Sequence, residues 1–126
     1  MKRMIIAGGR DFIDYSLLQK AVIYVLEKEG VNSAELTIIS GAARGADRLG
    51  ERYANEHNIK LVQMPADWTN LGKSAGYVRN TEMAKYAGKE GILLAFWDGF
   101  SKGTKHMIDT AKTYDLKVYV CKYNAK

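Results

Sequence analysis

Two stretches of the chain concentrate glycine beside hydroxyl and basic side chains: Ser40-Gly41-Ala42-Ala43-Arg44-Gly45-Ala46-Asp47 and Asp98-Gly99-Phe100-Ser101-Lys102-Gly103-Thr104. Glycine lets backbone amides come close to a ligand. A helix starting just after such a loop offers unsatisfied N–H groups at the positive end of its dipole. Ser40 and Arg44 in the first loop, and Ser101 and Thr104 in the second, add side-chain donors. That is chemistry for holding anions, phosphate above all. A third turn, Gly8-Gly9-Arg10-Asp11, is built alike. Arg79, followed by Asn80, stands near the start of a helical segment, where the dipole disfavours a cation, and its planar fork suits a phosphate. Trp68, in a polar loop, is the better candidate to stack on a base, whereas Trp97 closes an apolar run and fits a core. Asp47 and Asp98 are the candidate acid or base groups. Each feature also has a plainer explanation: a tight turn for each loop, a pairing with Glu82 for Arg79, and a dipole charge for Asp47.

Other chemistries find no residues. The only histidines are His57 and His106, and Cys121 is the lone cysteine, so no protein-ligated metal is expected and no internal disulfide can form. The Gly-x-Gly-x-x-Gly and Walker A patterns are absent, which leaves no cofactor to expect, and there is no Gly-x-Ser-x-Gly elbow for a serine hydrolase. No apolar run approaches bilayer length and the start lacks a signal-peptide pattern, so the expectation is a cytoplasmic protein without a membrane partner. The net charge of +5 is uneven, with nine Lys/Arg against eight Asp/Glu in residues 1–63 and ten against six in residues 64–126. This favours acidic partners but is equally the charge of an ordinary soluble protein.

The elements that must position these residues alternate along the chain. Apolar runs fall at 4–7, 36–39, 60–64, 91–97 and 117–121. Amphipathic segments fall at about 17–26, 45–57, 74–87 and 103–114. Asp14 reads as an N-cap and Gly30 as a stop for the first helix; Pro65 ends the third strand. Residues 66–73 read as a polar loop. Strands alternating with helices predict an α/β, Rossmann-like three-layer sandwich in a single domain of residues 1–126, around a five-stranded parallel sheet of order 3-2-1-4-5. The flavodoxin-like order 2-1-3-4-5 is the alternative. In the first order the switch point lies between strands one and four, which gathers the three glycine turns at one sheet edge.

At these same residues, Gly8-Gly9-Arg10-Asp11-Phe12, the 40–47 loop, Pro65-Ala66-Asp67-Trp68, Gly76-Tyr77-Val78-Arg79-Asn80 and Trp97-Asp98-Gly99 with Ser101-Lys102-Gly103-Thr104, the chain resembles the YspA-like branch of the SLOG superfamily. That superfamily also holds the DprA/Smf proteins and the Lonely Guy phosphoribohydrolases. The resemblance implies a Rossmann-like fold that binds nucleotides or nucleotide-derived ligands, in a branch found in bacteria and phages. Arg79-Asn80-Thr81-Glu82-Met83 is similar to the arginine motif of Lonely Guy enzymes. Gly103-Thr104 matches their Gly-Thr, but Met107 stands where their catalytic Glu belongs, and methionine moves no proton.

The first expectation is a module binding a nucleotide-like or ADP-ribose-like ligand at the carboxyl ends of strands 1, 2 and 4. Its site would comprise Gly8, Gly9, Arg10, Ser40, Gly41, Arg44, Gly45, Asp47, Trp68, Arg79, Asn80, Asp98, Gly99, Ser101, Gly103 and Thr104. The second is a hydrolase of an N-glycosidic or phosphate bond in such a ligand, with Asp98 or Asp47 as the acid/base. The third is a single-stranded nucleic-acid binder that tracks the backbone with arginines and stacks bases on tryptophan. Eight tyrosines give material for a homo-oligomeric interface.

Overall fold

The computed structural model describes residues 2–124. Five strands, β1 (Lys2–Gly8), β2 (Leu36–Ser40), β3 (Lys60–Gln63), β4 (Ile92–Trp97) and β5 (Lys117–Lys122), form one sheet of order β3-β2-β1-β4-β5. Every neighbouring pair is parallel. The α/β Rossmann-like order 3-2-1-4-5 is therefore the one adopted, and the flavodoxin-like alternative is not.

The central strands explain the layering. β1 pairs with β2 on one side and β4 on the other, and all three carry almost unbroken buried runs. Successive side chains leave a strand on opposite faces. Met4 and Ile6, with Ile92, Leu94 and Phe96, enter one core with Leu18, Val22, Val25 and Tyr53. Ile5 and Ala7, with Leu93 and Ala95, enter a second core with Met83, Ala84, Met107 and Ala111. Helices α1 (Tyr15–Glu29) and α2 (Ala46–Glu56) thus cover one face, while α4 (Ala75–Ala87) and α5 (Lys102–Thr113) cover the other. Asp14 caps α1 by accepting from the Leu17 amide at 3.0 Å, and Gly30 ends it in the left-handed region at φ 65°.

The stretch expected as a loop at 66–73 is more ordered than its polarity suggests. It forms a one-turn helix, α3 (Trp68–Leu71), followed by a 3-10 turn, Gly72–Ser74. Asp67 starts it, accepting from the Asn70 amide at 3.2 Å and the Asn70 side chain at 2.9 Å. None of its residues is buried, so no hydrophobic periodicity marks it. Among the described residues, no helix is long and apolar enough to cross a membrane.

Candidate functional site

Because α1 and α2 lie on one face and α4 and α5 on the other, the connections leaving β1 and β4 diverge at their carboxyl ends. A cleft of about 610 Å³ opens there. Gly8, Gly9, Arg10 and Asp11 line it from the turn after β1, and Ala43 and Asp47 from the loop after β2. Trp68 and Lys73 reach it from the α3 segment, with Gly76, Tyr77, Arg79 and Asn80 of α4 beyond. Asp98, Ser101, Gly103, Thr104 and Met107 complete the wall after β4.

Of the residues picked from sequence, Ser40, Gly41, Arg44, Gly45 and Gly99 do not line the cleft. Their roles differ. Ser40 is wholly buried; its hydroxyl donates to Glu51 Oε2 at 2.7 Å and accepts from the Ala42 amide at 3.0 Å. Gly41 offers its carbonyl to Arg79 Nη1 at 2.6 Å. Gly45, at φ 82°, lies against the β1 turn, where a side chain would strike the carbonyl oxygen of Gly9. The Ala46 amide donates to that same oxygen at 3.2 Å. Arg44 is exposed. The loop after β2 therefore meets much of its own hydrogen-bonding need and braces the β1 turn.

Asp47, in the first turn of α2, is the charged group presented to the cleft beyond this loop. It is 5% exposed, and its Oδ2 accepts from the Ala43 amide at 3.2 Å. Burial pushes its carboxyl up to about 6, against the pull of the Ala43 amide and the charge of Arg79. Asp98 is the opposite case. Its Oδ1 accepts from the amides of Phe100 and Ser101, both at 2.8 Å, and these bonds hold it below the usual carboxylate range.

Arg79 crosses the cleft floor. Besides the Gly41 bond, its Nε donates to Asn80 Oδ1 at 3.1 Å. Asn80, itself buried, reaches α5 through its Nδ2, 3.1 Å from His106 Nδ1. The pairing with Glu82 that helical spacing allows is not made. Burial makes the charged state of Arg79 more costly; Asp47 offsets part of that cost, and Arg10 adds a like charge. Ser101 caps α5, accepting from the Thr104 amide at 3.3 Å. Trp97 keeps its place at the end of β4 and donates its indole N–H to the Ser101 carbonyl at 3.1 Å.

Sequence reasoning missed Lys73, Tyr77 and Tyr123. Tyr77 stacks on His106 with ring centroids 4.3 Å apart at the cleft wall. Its exposed helix position carries no mark in the sequence. Tyr123, in the segment after β5, donates to Asp11 Oδ1 at 2.5 Å across 112 residues of chain. No local pattern could announce that contact. Among the described residues, no group of three His, Cys, Asp or Glu gathers closely enough to hold a metal ion.

The profile of the YspA, cpYpsA-related SLOG family matches residues 2–70, more than half of the chain. The chain is also similar to the Gene 61 protein of Mycobacterium phage D29, with 33% identity over 123 residues, covering 94% of each. No solved structure gives a significant match. The matched region runs from β1 through the loop after β2 to Trp68, and on that footing the chain belongs to the YspA, cpYpsA-related SLOG family.

Proposed function

We propose that the cleft binds a nucleotide or a nucleotide-derived phosphorylated ligand of the ADP-ribose kind. The observation that carries this reading is the convergence of Arg10 and Arg79 on one cleft, with Arg10 near enough to add a like charge at Arg79. Among the described residues neither arginine forms an ion pair. Like charges held together in a half-buried cleft favour an anion between them, and a guanidinium fork matches phosphate oxygens. Trp68 and Tyr77, both about half exposed at 51% and 47%, offer ring faces for a base. Membership of the SLOG family supports a nucleotide-related ligand.

We assign the phosphate to Arg10, Arg79 and the start of α5, where nothing stands within 4 Å of the position a Gly103 side chain would take. Ser40, Gly41 and Gly45 shape the wall behind it. Calorimetric titration with a nucleotide panel including ADP-ribose tests the reading. Arg79→Ala and Arg10→Ala should each weaken binding about tenfold, the loss of one charge-assisted contact, with the fold intact. Arg44→Glu, off the lining, should weaken it far less. A panel with no binder, or unchanged titrations for both cleft variants, removes the assignment.

The placement of Asp47 favours a second reading, hydrolysis of the bound ligand. A buried carboxyl poised near neutrality beside an arginine suits general acid–base work, whereas Asp98 is held ionised by its loop amides. In that reading Asp47 takes a proton from water as the water oxygen bonds to the anomeric carbon. The carbon–nitrogen bond breaks and its electron pair leaves with the base. Met107 lines the cleft without offering a carboxylate. Chromatography of nucleotides incubated with the protein discriminates, because a binder releases no base and Asp47→Asn abolishes release by an enzyme.

A further inference from the structure

The segment following β5 reaches back to the β1 turn. The Tyr123 amide donates to the Trp97 carbonyl at 3.2 Å, continuing the sheet edge beyond β5. Its ring meets Phe12 edge-on with centroids 4.9 Å apart, and Phe12 stacks on Phe96 at 4.4 Å. Its hydroxyl, bonded to Asp11, also sits where a side chain on Gly9 would stand. Tyr123 thus touches the residues on both sides of Arg10.

The opposite side of the turn is equally confined. The Gly9 carbonyl accepts from the amides of Phe12 and Ala46, each at 3.2 Å, and the Gly9 amide donates to the Phe96 carbonyl at 3.1 Å. The carbonyl of Arg10 lies against Gly45. Lys122, one residue earlier, holds its ammonium 4.9 Å from the Trp97 ring centroid, at the base of the other cleft loop. Gly9 does not have a positive φ, so its backbone would accept alanine. A side chain there would meet the Tyr123 hydroxyl first, and behind it Asp11 Oδ1 and the ring carbon that carries the hydroxyl.

We propose that Tyr123 is a positioning residue of the cleft: through Gly9 and Asp11 it fixes the backbone that directs Arg10 at the ligand. This rests on the reading of the cleft as a phosphate-ligand site. The Phe12 and Phe96 rings anchor Tyr123, and its hydroxyl transmits that anchorage to the turn. A staple serving only to hold down the segment after β5 would change stability alone. A positioning residue changes the order of the turn and the affinity of the cleft.

The experiment uses the full chain and the variants Tyr123→Phe, Gly9→Ala and their combination. Tyr123→Phe keeps the ring on Phe12 and removes only the hydroxyl. Exchange of the hydrogen-bonded Gly9 and Phe12 amides should then rise about tenfold while β1 and β4 stay protected. ADP-ribose should bind roughly fivefold more weakly, with the melting temperature held within about 2 °C. Gly9→Ala should cause a comparable loss in the wild-type background and add little in the Tyr123→Phe background, the signature of directly coupled positions. Unchanged exchange in Tyr123→Phe, or an equal penalty for Gly9→Ala in both backgrounds, overturns the proposal. Should ADP-ribose fail to bind the wild type, the proposed ligand class falls, while amide exchange in the three variants still decides whether Tyr123 orders the turn.

Discussion

Asp47 shows how far burial can reset one side chain. Its carboxyl rises from 3.8 to about 6, chiefly through desolvation. The folded state therefore holds this proton more tightly than the unfolded chain does. The group's favourable contribution is fully present below pH 3.8 and is lost as pH rises through about 6. A shift of that size corresponds to roughly 3 kcal/mol. Asp47→Asn should flatten the fall in stability between about pH 4 and 6, measured by denaturant unfolding at stepped pH. An unchanged slope would show that Asp47 is better solvated than its 5% exposure implies. The residue type was legible in the sequence as a candidate acid, because it follows a glycine-rich loop. Its burial and its Arg79 neighbour were not, since Arg79 is supplied by a helix on the other face of the sheet. Ser40 went the other way: its hydroxyl looked available to a ligand, but burial commits it to Glu51 and the Ala42 amide.

The loop between β2 and α2 acts as a brace, and Gly45 is its most constrained point. At φ 82° and ψ −127° its backbone suits glycine, and a side chain would collide with the Gly9 carbonyl. Gly45→Ala should cost at least about 2 kcal/mol, combining strain with displacement of the β1 turn, as read from denaturant midpoints. Retained stability would mean that the two loops separate without consequence. The helices were readable from periodicity and caps because most have a buried stripe to display. The α3 segment lacks one and was hidden, although its Asp67 cap was present in the sequence. The segment also carries Trp68 and Lys73 to the cleft rim.

The arrangement of the whole molecule follows from alternation and handedness. Parallel strands joined by helices on both faces leave a crevice where the connections part, between β1 and β4. Strand order was legible because the buried run of β4 marks a central strand and the glycine turns follow the strands that meet at the crevice. The links from the far end of the chain were not, and Tyr123 is the case that matters for the cleft. Several tyrosines that composition offered to an interface are engaged within the chain, with Tyr15 bonded to Glu56, Tyr119 to Glu29 and Tyr53 stacked on His57. Cations and carboxylates share the cleft, with Arg10, Lys73 and Arg79 facing Asp11, Asp47 and Asp98. In the proposed reading a phosphate there would be held by particular side chains rather than by an overall positive field. Its binding should weaken with added salt far less steeply than that of a strand-tracking nucleic-acid binder.

We propose that the connections after β1, β2 and β4, together with α4, form one ligand site. Amide chemical-shift mapping during titration with ADP-ribose and a nucleotide panel checks this at every residue concerned. Perturbations should be confined to residues 8–11, 68–80 and 98–104, with Ala43 and Asp47 at their edge. A panel that shifts nothing, or shifts clustered on α1 around Ile23 and Leu26, would contradict it.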